Sequence, residues 1–311
     1  MNNLGVNKKA NLSPSLINSP SSGKGFNISP YIYIGPHLVL FLIFFLMPTL
    51  YGVYISFTNW DLISEPEFVG LANYKELLFN QESLFYDQLR TGLFNTFKFV
   101  LFTVPACIAV PLLLAAGLNA KPKGMKFFQA LFYAPTLFSV SAVMIIFTML
   151  FHVSYGPINH FFDTDTNWVA TQPYAWFTLV IVTVWWSIGA NMIIYQAALN
   201  GISKDLYEAA SIDGAGSIQK FFKITLPSIK AQLLYTVVIT TIAQFNVYGQ
   251  PLMLTKGGPS SSTSVLLMYI QENAFGSGIS IAGIASAMAV ILGLCIMVVS
   301  AIQFFLLRQR N

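Results

Sequence analysis

An all-α integral membrane protein with six transmembrane helices is the fold class that this 311-residue chain predicts. Three observations carry that expectation. Hydrophobic residues are 55% of the chain and charged residues only 9%, against about 25% charged in an ordinary soluble domain. So little charge cannot cover a water-facing surface, and the mean hydropathy of +0.63 agrees. Six apolar stretches are each long enough for the roughly 20 residues that a helix needs to cross a bilayer, and none contains an acidic residue. The basic residues crowd into alternate connections between those stretches.

Residues 1–30 are rich in Asn, Ser, Pro, Gly and Lys. Such a composition cannot bury enough apolar surface to fold alone, so a disordered cytoplasmic tail is expected. The first apolar run, Tyr33–Phe57, is too long and too far from the start for a signal-peptide core of 7–15 residues; it reads as a retained first helix within residues 31–57. A long extracytoplasmic loop follows over residues 58–93, with Phe68-Val-Gly-Leu-Ala-Asn-Tyr74 and a short amphipathic run to Phe79 that predicts a small ordered helix. The transmembrane core over residues 94–307 then holds five spans, Thr96–Leu118, Leu131–His152, Ala175–Leu199, Leu233–Leu254 and Ile281–Leu307. Helices are favoured over barrel strands because the runs are apolar on all sides, whereas barrel strands alternate over about ten residues. Pro105, Pro111 and Pro135 are expected to kink the second and third helices. The segments 153–174 and 255–280 read as turns, the second with Gly257-Gly-Pro259 and a Ser/Thr run.

Twelve of the 16 basic residues fall on one side: Lys8, Lys9, Lys24, Lys121, Lys123, Lys126, Lys204, Lys220, Lys223, Lys230, Arg308 and Arg310. The positive-inside rule puts that side, with both termini, in the cytoplasm, and the location expected is the cytoplasmic (inner) membrane of a bacterium. The sequence pI of 8.9 then reflects topology, and no nucleic-acid partner follows from it. Cys107 and Cys295 lie inside apolar helices, where packing is the expected role. The chain has no His/Cys/carboxylate cluster that suggests a metal.

The most informative segment is the polar insert over residues 200–231. Ser203 and Asp205 suit a helix start. Leu206, Ala209, Ala210 and Ile212 recur at helical spacing, and Asp213-Gly214 supplies a stop. Ser217 can restart a helix, and Pro227 marks the junction with the fifth span. Two short helices meeting at a glycine elbow are therefore expected on the cytoplasmic face. Small residues at Ala209, Ala210 and Gly214 admit close approach by another protein, and Glu208 offers it a charge. No G-x-x-x-x-G-K-[ST] phosphate loop occurs in the chain, so any ATP must be hydrolysed by another chain.

Residues 208–227 match the pattern E-A-A-x3-G-x9-I-x-L-P over its whole length. That pattern resembles the coupling loop of binding-protein-dependent ABC importer permeases of the type I (MetI-like) fold. The resemblance extends over about residues 31–311 to the carbohydrate branch and its maltose-permease-like subunit. It rests on the Phe68 motif, Asn95-Thr96, Gly156-x-Ile-Asn159, Asp205 to Gly216, and Leu254-Thr-x-Gly-Gly-Pro259. It implies ATPase coupling through Glu208, Ala209, Ala210, Asp213 and Gly214. It also implies a second homologous permease subunit, two ATP-binding subunits that use ATP and Mg, and an extracytoplasmic solute-binding protein, either a lipoprotein or periplasmic. No cofactor and no catalytic residue is expected in this chain; membrane lipid is its remaining partner.

Polar residues inside spans are the candidates for the substrate pathway: Ser139 on the third helix, Trp186, Ser187 and Asn191 on the fourth, and Gln244, Asn246 and Tyr248 on the fifth. Amides and aromatic faces suit a sugar. By resemblance, Gln244 falls where such permeases place a sugar-contacting Asn, while the neighbouring Asn of that pattern is Val247 here. The same residues equally suit helix–helix hydrogen bonding. Three functions stay open: a sugar importer subunit, the same importer for a non-sugar solute, and a stand-alone secondary transporter. The last lacks the intramembrane carboxylates that ion coupling uses.

Overall fold

A computed structural model describes residues 29–307 except 277, 279 and 280. The expected tail over residues 1–28, with Lys8, Lys9 and Lys24, lies outside the described residues, as do Arg308 and Arg310. The chain divides into two units at Leu50 and Tyr51. Helix α1, Ile32–Ile55, crosses that boundary. Within the first unit Leu42–Leu46 forms a π turn.

The second unit opens with a two-residue ribbon, β1 Thr58–Asn59 against β2 Glu67–Phe68, antiparallel with Thr58 opposite Phe68. Asp61 shapes the connecting turn: the Ser64 hydroxyl first, then the backbone N–H groups of Ser64 and Ile63, hold its carboxyl at about 2, below the usual 3.8. Helix α2, Ala72–Phe79, is the amphipathic segment expected from the sequence. Its fixing point is Asn73, which is buried and donates to the carbonyls of Ser56 (2.9 Å) and Thr58 (2.8 Å). Tyr74 and Ser56 share a 2.7 Å hydroxyl bond. The Phe68–Tyr74 motif is thus a clasp that pins α2 to the strand entry.

Helix α3, Leu84–Asn119, starts twelve residues before the expected span, because Ser83 caps it and accepts from the N–H of Phe85 (3.2 Å). Both Pro105 and Pro111 sit inside this unbroken helix. Proline removes the N–H that would bond the carbonyl four residues back. For Pro111 that carbonyl belongs to Cys107, and it accepts instead from Asn191 Nδ2 at 2.9 Å.

The third span is broken. Helices α4, Met125–Leu137, and α5, Val140–Leu150, meet at 102°. Pro135 lies in the 3₁₀ turn before the break, and Ser139 caps α5 by accepting from the N–H of Ala142. A short helix α6, Pro157–Phe162, follows. Helix α7, Tyr174–Asn200, is the fourth span and is straight enough to pass as one piece. The fifth span is also broken. Helix α9, Ser217–Ser228, contains a π turn and meets α10, Lys230–Phe245, at 73°. The expected end at Leu254 is corrected to Phe245; the chain then turns and forms a separate π turn over Pro251–Thr255. The segment after it is more than a loop: α11, Leu266–Phe275, packs against α3 and the last span, α12, Ala282–Leu307. Counting each bent pair once, the described residues hold six candidate spans.

Buried asparagines organise two of the longer connections. Asn95 Nδ2 donates to the carbonyls of Ser261 and Ser264, and Thr96 Oγ1 accepts from the N–H of Leu266. Together they fasten the Gly257 loop to α3. Asn159 makes four bonds: Nδ2 to the carbonyls of Val153 (3.1 Å) and Thr166 (2.9 Å), and Oδ1 from Trp168 Nε1 (2.6 Å) and Thr164 Oγ1 (3.1 Å). Asn159→Ala strands buried partners, each costing about 1–3 kcal/mol. Hydrogen exchange over residues 153–168 should rise at least tenfold in that variant, while exchange in α12 stays unchanged.

Candidate functional site

Two regions of the second unit gather the chemistry, a polar hairpin and the break in the third span. In the hairpin, helix α8, Lys204–Ile212, begins where Ser203 Oγ accepts from the N–H of Asp205 (3.2 Å). It ends with two bonds around a left-handed residue: Gly214 N–H to the Ser211 carbonyl (3.1 Å) and Ala215 N–H to the Ala210 carbonyl (2.9 Å), with Gly214 at φ +76°. This is the Schellman arrangement, which needs a residue without a Cβ penalty at that point. Asp213 is the last residue before the elbow. Gly216, rather than Ser217, occupies the cap position of α9.

Side chains brace the elbow. Tyr207 Oη and Thr225 Oγ1 are 2.9 Å apart, and Lys220 Nζ donates to Ser211 Oγ at 2.6 Å. Tyr207 and Ser211 are one turn apart on the same face of α8, so two bonds hold it against the arm that leads into α10. The opposite face is uncovered among the described residues. Glu208 and Ala209 are exposed, Ala210 is half-buried, and Glu208 has no partner among the described residues. Ile212 is 87% exposed and Ile218 77%. A charge and small residues beside two uncovered isoleucines form a surface shaped for another protein.

The second region lies on α7. Trp186 Nε1 donates to the carbonyl of Phe138 (3.1 Å), a group freed by the α4–α5 break. Gly189 lets α4 come close: a Cβ there would meet the Tyr133 Cα and Thr136 Cγ2, both at 2.9 Å. The Pro251–Thr255 turn packs on α5 and α7. Gly249, between Tyr248 and that turn, would carry a Cβ 3.0 Å from Val140, the first residue of α5. The break in the third span therefore meets the turn that follows α10, with Ser139, Trp186 and the half-buried Tyr248 around the junction. Interrupted helices expose backbone groups inside a membrane, where a polar solute can use them.

The other candidates divide by what their polar atoms already touch. Asn191 Nδ2 is engaged twice, by the Cys107 carbonyl and by Thr240 Oγ1 (3.0 Å) on α10. Ser187 bonds the Val184 carbonyl and faces Cys107 Sγ (3.2 Å). Asn246 folds back onto the Ile242 carbonyl (2.8 Å) and is exposed. Gln244 is buried, yet its amide has no hydrogen bond among the described residues. That amide is free for a solute. Sequence reasoning missed the bracing pair Tyr207 and Thr225, and the close approaches at Gly189 and Gly249. Eighteen residues separate the bracing pair, and no local pattern links them.

The family described as "Binding-protein-dependent transport system inner membrane component" matches residues 88–310. The chain is 31% identical over 294 residues to the arabinooligosaccharides transport system permease protein AraP of Halalkalibacterium halodurans, covering 90% of this chain and 87% of that one. It is 32% identical over 280 residues to the sn-glycerol-3-phosphate transport system permease protein UgpA of Escherichia coli, covering 88% and 92%. A crystal structure of a bacterial alginate ABC transporter, in complex with alginate pentasaccharide-bound periplasmic protein, superposes with a TM-score of 0.76 at 22% identity. The match covers 90% of this chain and 94% of that one. That likeness establishes the fold.

Proposed function

Since this chain belongs to the binding-protein-dependent transport system inner membrane components, we propose that it is the permease subunit of an ATP-driven importer for an oligosaccharide or glycoside. A separate ATPase docks on the Glu208 hairpin, and ATP and Mg act on that partner. The observation that carries this reading is the braced hairpin with its uncovered outer face. A rigid handle with an empty surface is what a force-transmitting contact requires. Closure of the ATPase pair would push α8. The push passes through the Tyr207–Thr225 bond into α10, which is tied to α7 through Thr236–Tyr195 (2.6 Å) and Thr240–Asn191. Movement of α10 against α7 would open and close the junction between the α4–α5 break and the turn that follows α10. This is a switch between two packings, with no covalent chemistry in the chain.

Solute passes, in this reading, by Gln244, Tyr248, Trp186 and Ser139, while Asn191 and Ser187 hold helices together and Asn246 closes the end of α10. A second permease subunit and a solute-binding protein complete the importer, and both termini face the cytoplasm. Sugar as the cargo is supported by likeness to the arabinooligosaccharide permease. Likeness to the glycerol-3-phosphate permease favours a second reading, the same machine with a phosphorylated polyol as cargo.

The test is to reconstitute the chain with its partner subunits and measure solute uptake and ATP hydrolysis. Glu208→Ala should lower binding of the ATPase subunits at least tenfold; unchanged assembly would end the docking reading. Gln244→Ala should lower uptake at least tenfold with assembly intact; an unchanged rate and selectivity would remove Gln244 from the pathway. Uptake of glycerol phosphate with none of any oligosaccharide would select the second reading.

A further inference from the structure

Lys98 is the last charged residue in α3; from it to Asn119 the helix carries none. That stretch rises roughly 31 Å at 1.5 Å per residue, close to the thickness of a bilayer hydrocarbon core. Lys98 therefore sits at the boundary between hydrocarbon and headgroups when Asn119 lies at the opposite boundary. An ionisable residue at such a depth calls for a partner, and among the described residues no carboxylate pairs with it. Its Nζ lies 4.5 Å from the centre of the Trp176 ring on α7. The ring face steadies the ammonium without using its N–H groups.

A cavity of about 640 Å³ opens beside this pair. Its polar lining is Lys98, Gln172 and Ser262. Gln172 Nε2 donates to Ser262 Oγ at 2.8 Å, which leaves the second amide hydrogen and the Ser262 hydroxyl hydrogen available. The rest of the lining is apolar, and it lies deeper: Phe102 is one turn below Lys98, and Val180 one turn below Trp176, with Phe177 beside it. Donors and a positive charge at the surface end, above an apolar floor, complement an amphiphile with an anionic head. A saccharide would set hydroxyl groups against Phe102 and Val180, and a free phosphate would leave that floor wetted.

We propose that this cleft is a binding site for an anionic phospholipid. Its headgroup phosphate meets Lys98, Gln172 and Ser262, and one acyl chain runs along Phe102, Phe177 and Val180. Its lining shares no residue with the proposed solute pathway or the docking hairpin.

The test is native mass spectrometry of the delipidated full complex titrated with phosphatidylglycerol or phosphatidylcholine. The wild type should retain phosphatidylglycerol at least tenfold better, with the preference falling as salt rises. Lys98→Gln should abolish the preference, Lys98→Arg should keep it, and Val180→Trp, which fills the tail end, should weaken both lipids. Equal retention by wild type and Lys98→Gln would overturn the proposal. So would displacement of the lipid by soluble glycerol phosphate, or cross-linking of Phe102→Cys to a partner subunit at full yield. If Lys98→Gln fails to assemble, the Arg and Trp variants decide: an Arg variant without the preference, or a Trp variant with wild-type retention, overturns it.

Discussion

Gly214→Val should leave the chain inserted and abundant in the membrane, and lower both solute uptake and solute-stimulated ATP hydrolysis at least tenfold. Gly214 holds φ +76° with no atom within 4 Å of where a Cβ would be, so the substitution meets no clash. What it meets is its own backbone. The left-handed conformation costs an L-residue about 1–2 kcal/mol, and more for a β-branched side chain, which is an outlier there. The elbow relaxes, the two bonds that brace it are pulled out of line, and a push on α8 is absorbed before it reaches α10. Gly214→Asn is the control: Asn tolerates this conformation, so that variant should keep most of the activity. A valine variant that transports at the wild-type rate would show that the elbow geometry is irrelevant to coupling. Membrane abundance, uptake and ATPase assays together make the distinction.

Gly189→Leu should have the larger effect on the membrane core. A single Cβ at this position already falls within 2.9 Å of the Tyr133 backbone and 2.8 Å of its ring. Backbone cannot swing aside as a side chain can, so α4 has to move off α7. Overpacking of this kind costs about 1–3 kcal/mol. The shift would also separate Trp186 from the Phe138 carbonyl, which would then lack a donor inside the bilayer. Loss of transport, together with a lowered Tm in detergent and intact binding of the ATPase, is the expected pattern. Unaltered uptake would mean that the α4–α5 break lies off the pathway.

Much of the fold was legible because the bilayer imposes a length and a hydropathy on each span. The hairpin was legible in nearly every detail, from the Ser203 cap to the Gly214 elbow, because capping and left-handed glycine are local rules. The breaks were legible in part. Pro135 marks a kink in the apolar run Leu131–His152, but nothing in the sequence gives its size of 102° or its place at Phe138 and Ser139. Those follow from the pairing with α7, where Trp186 takes the freed carbonyl. Helix α11 was hidden for a similar reason. Its sequence, LLMYIQENAF, has polar residues that suit a loop, and its order comes from Asn95 and Thr96, about 170 residues earlier. The Asn motifs read as marks of a carbohydrate permease also prove to be fasteners for connecting loops. For the candidate solute contacts, residue type was legible, but which amide was free was a question of tertiary partners.

The bond between Asn191 and Cys107 has a consequence for how the helices find their register. Apolar side chains in a bilayer give one helix little reason to stop at a particular height along another, since lipid is as good a neighbour. Pro111 withholds one proton and thereby marks the Cys107 carbonyl on α3 as different from its immediate neighbours. Asn191 on α7 can satisfy that carbonyl at only one vertical offset. A missing hydrogen thus acts as a notch on a ruler, and substituting either residue alone would erase the mark that tells α7 how deep to sit.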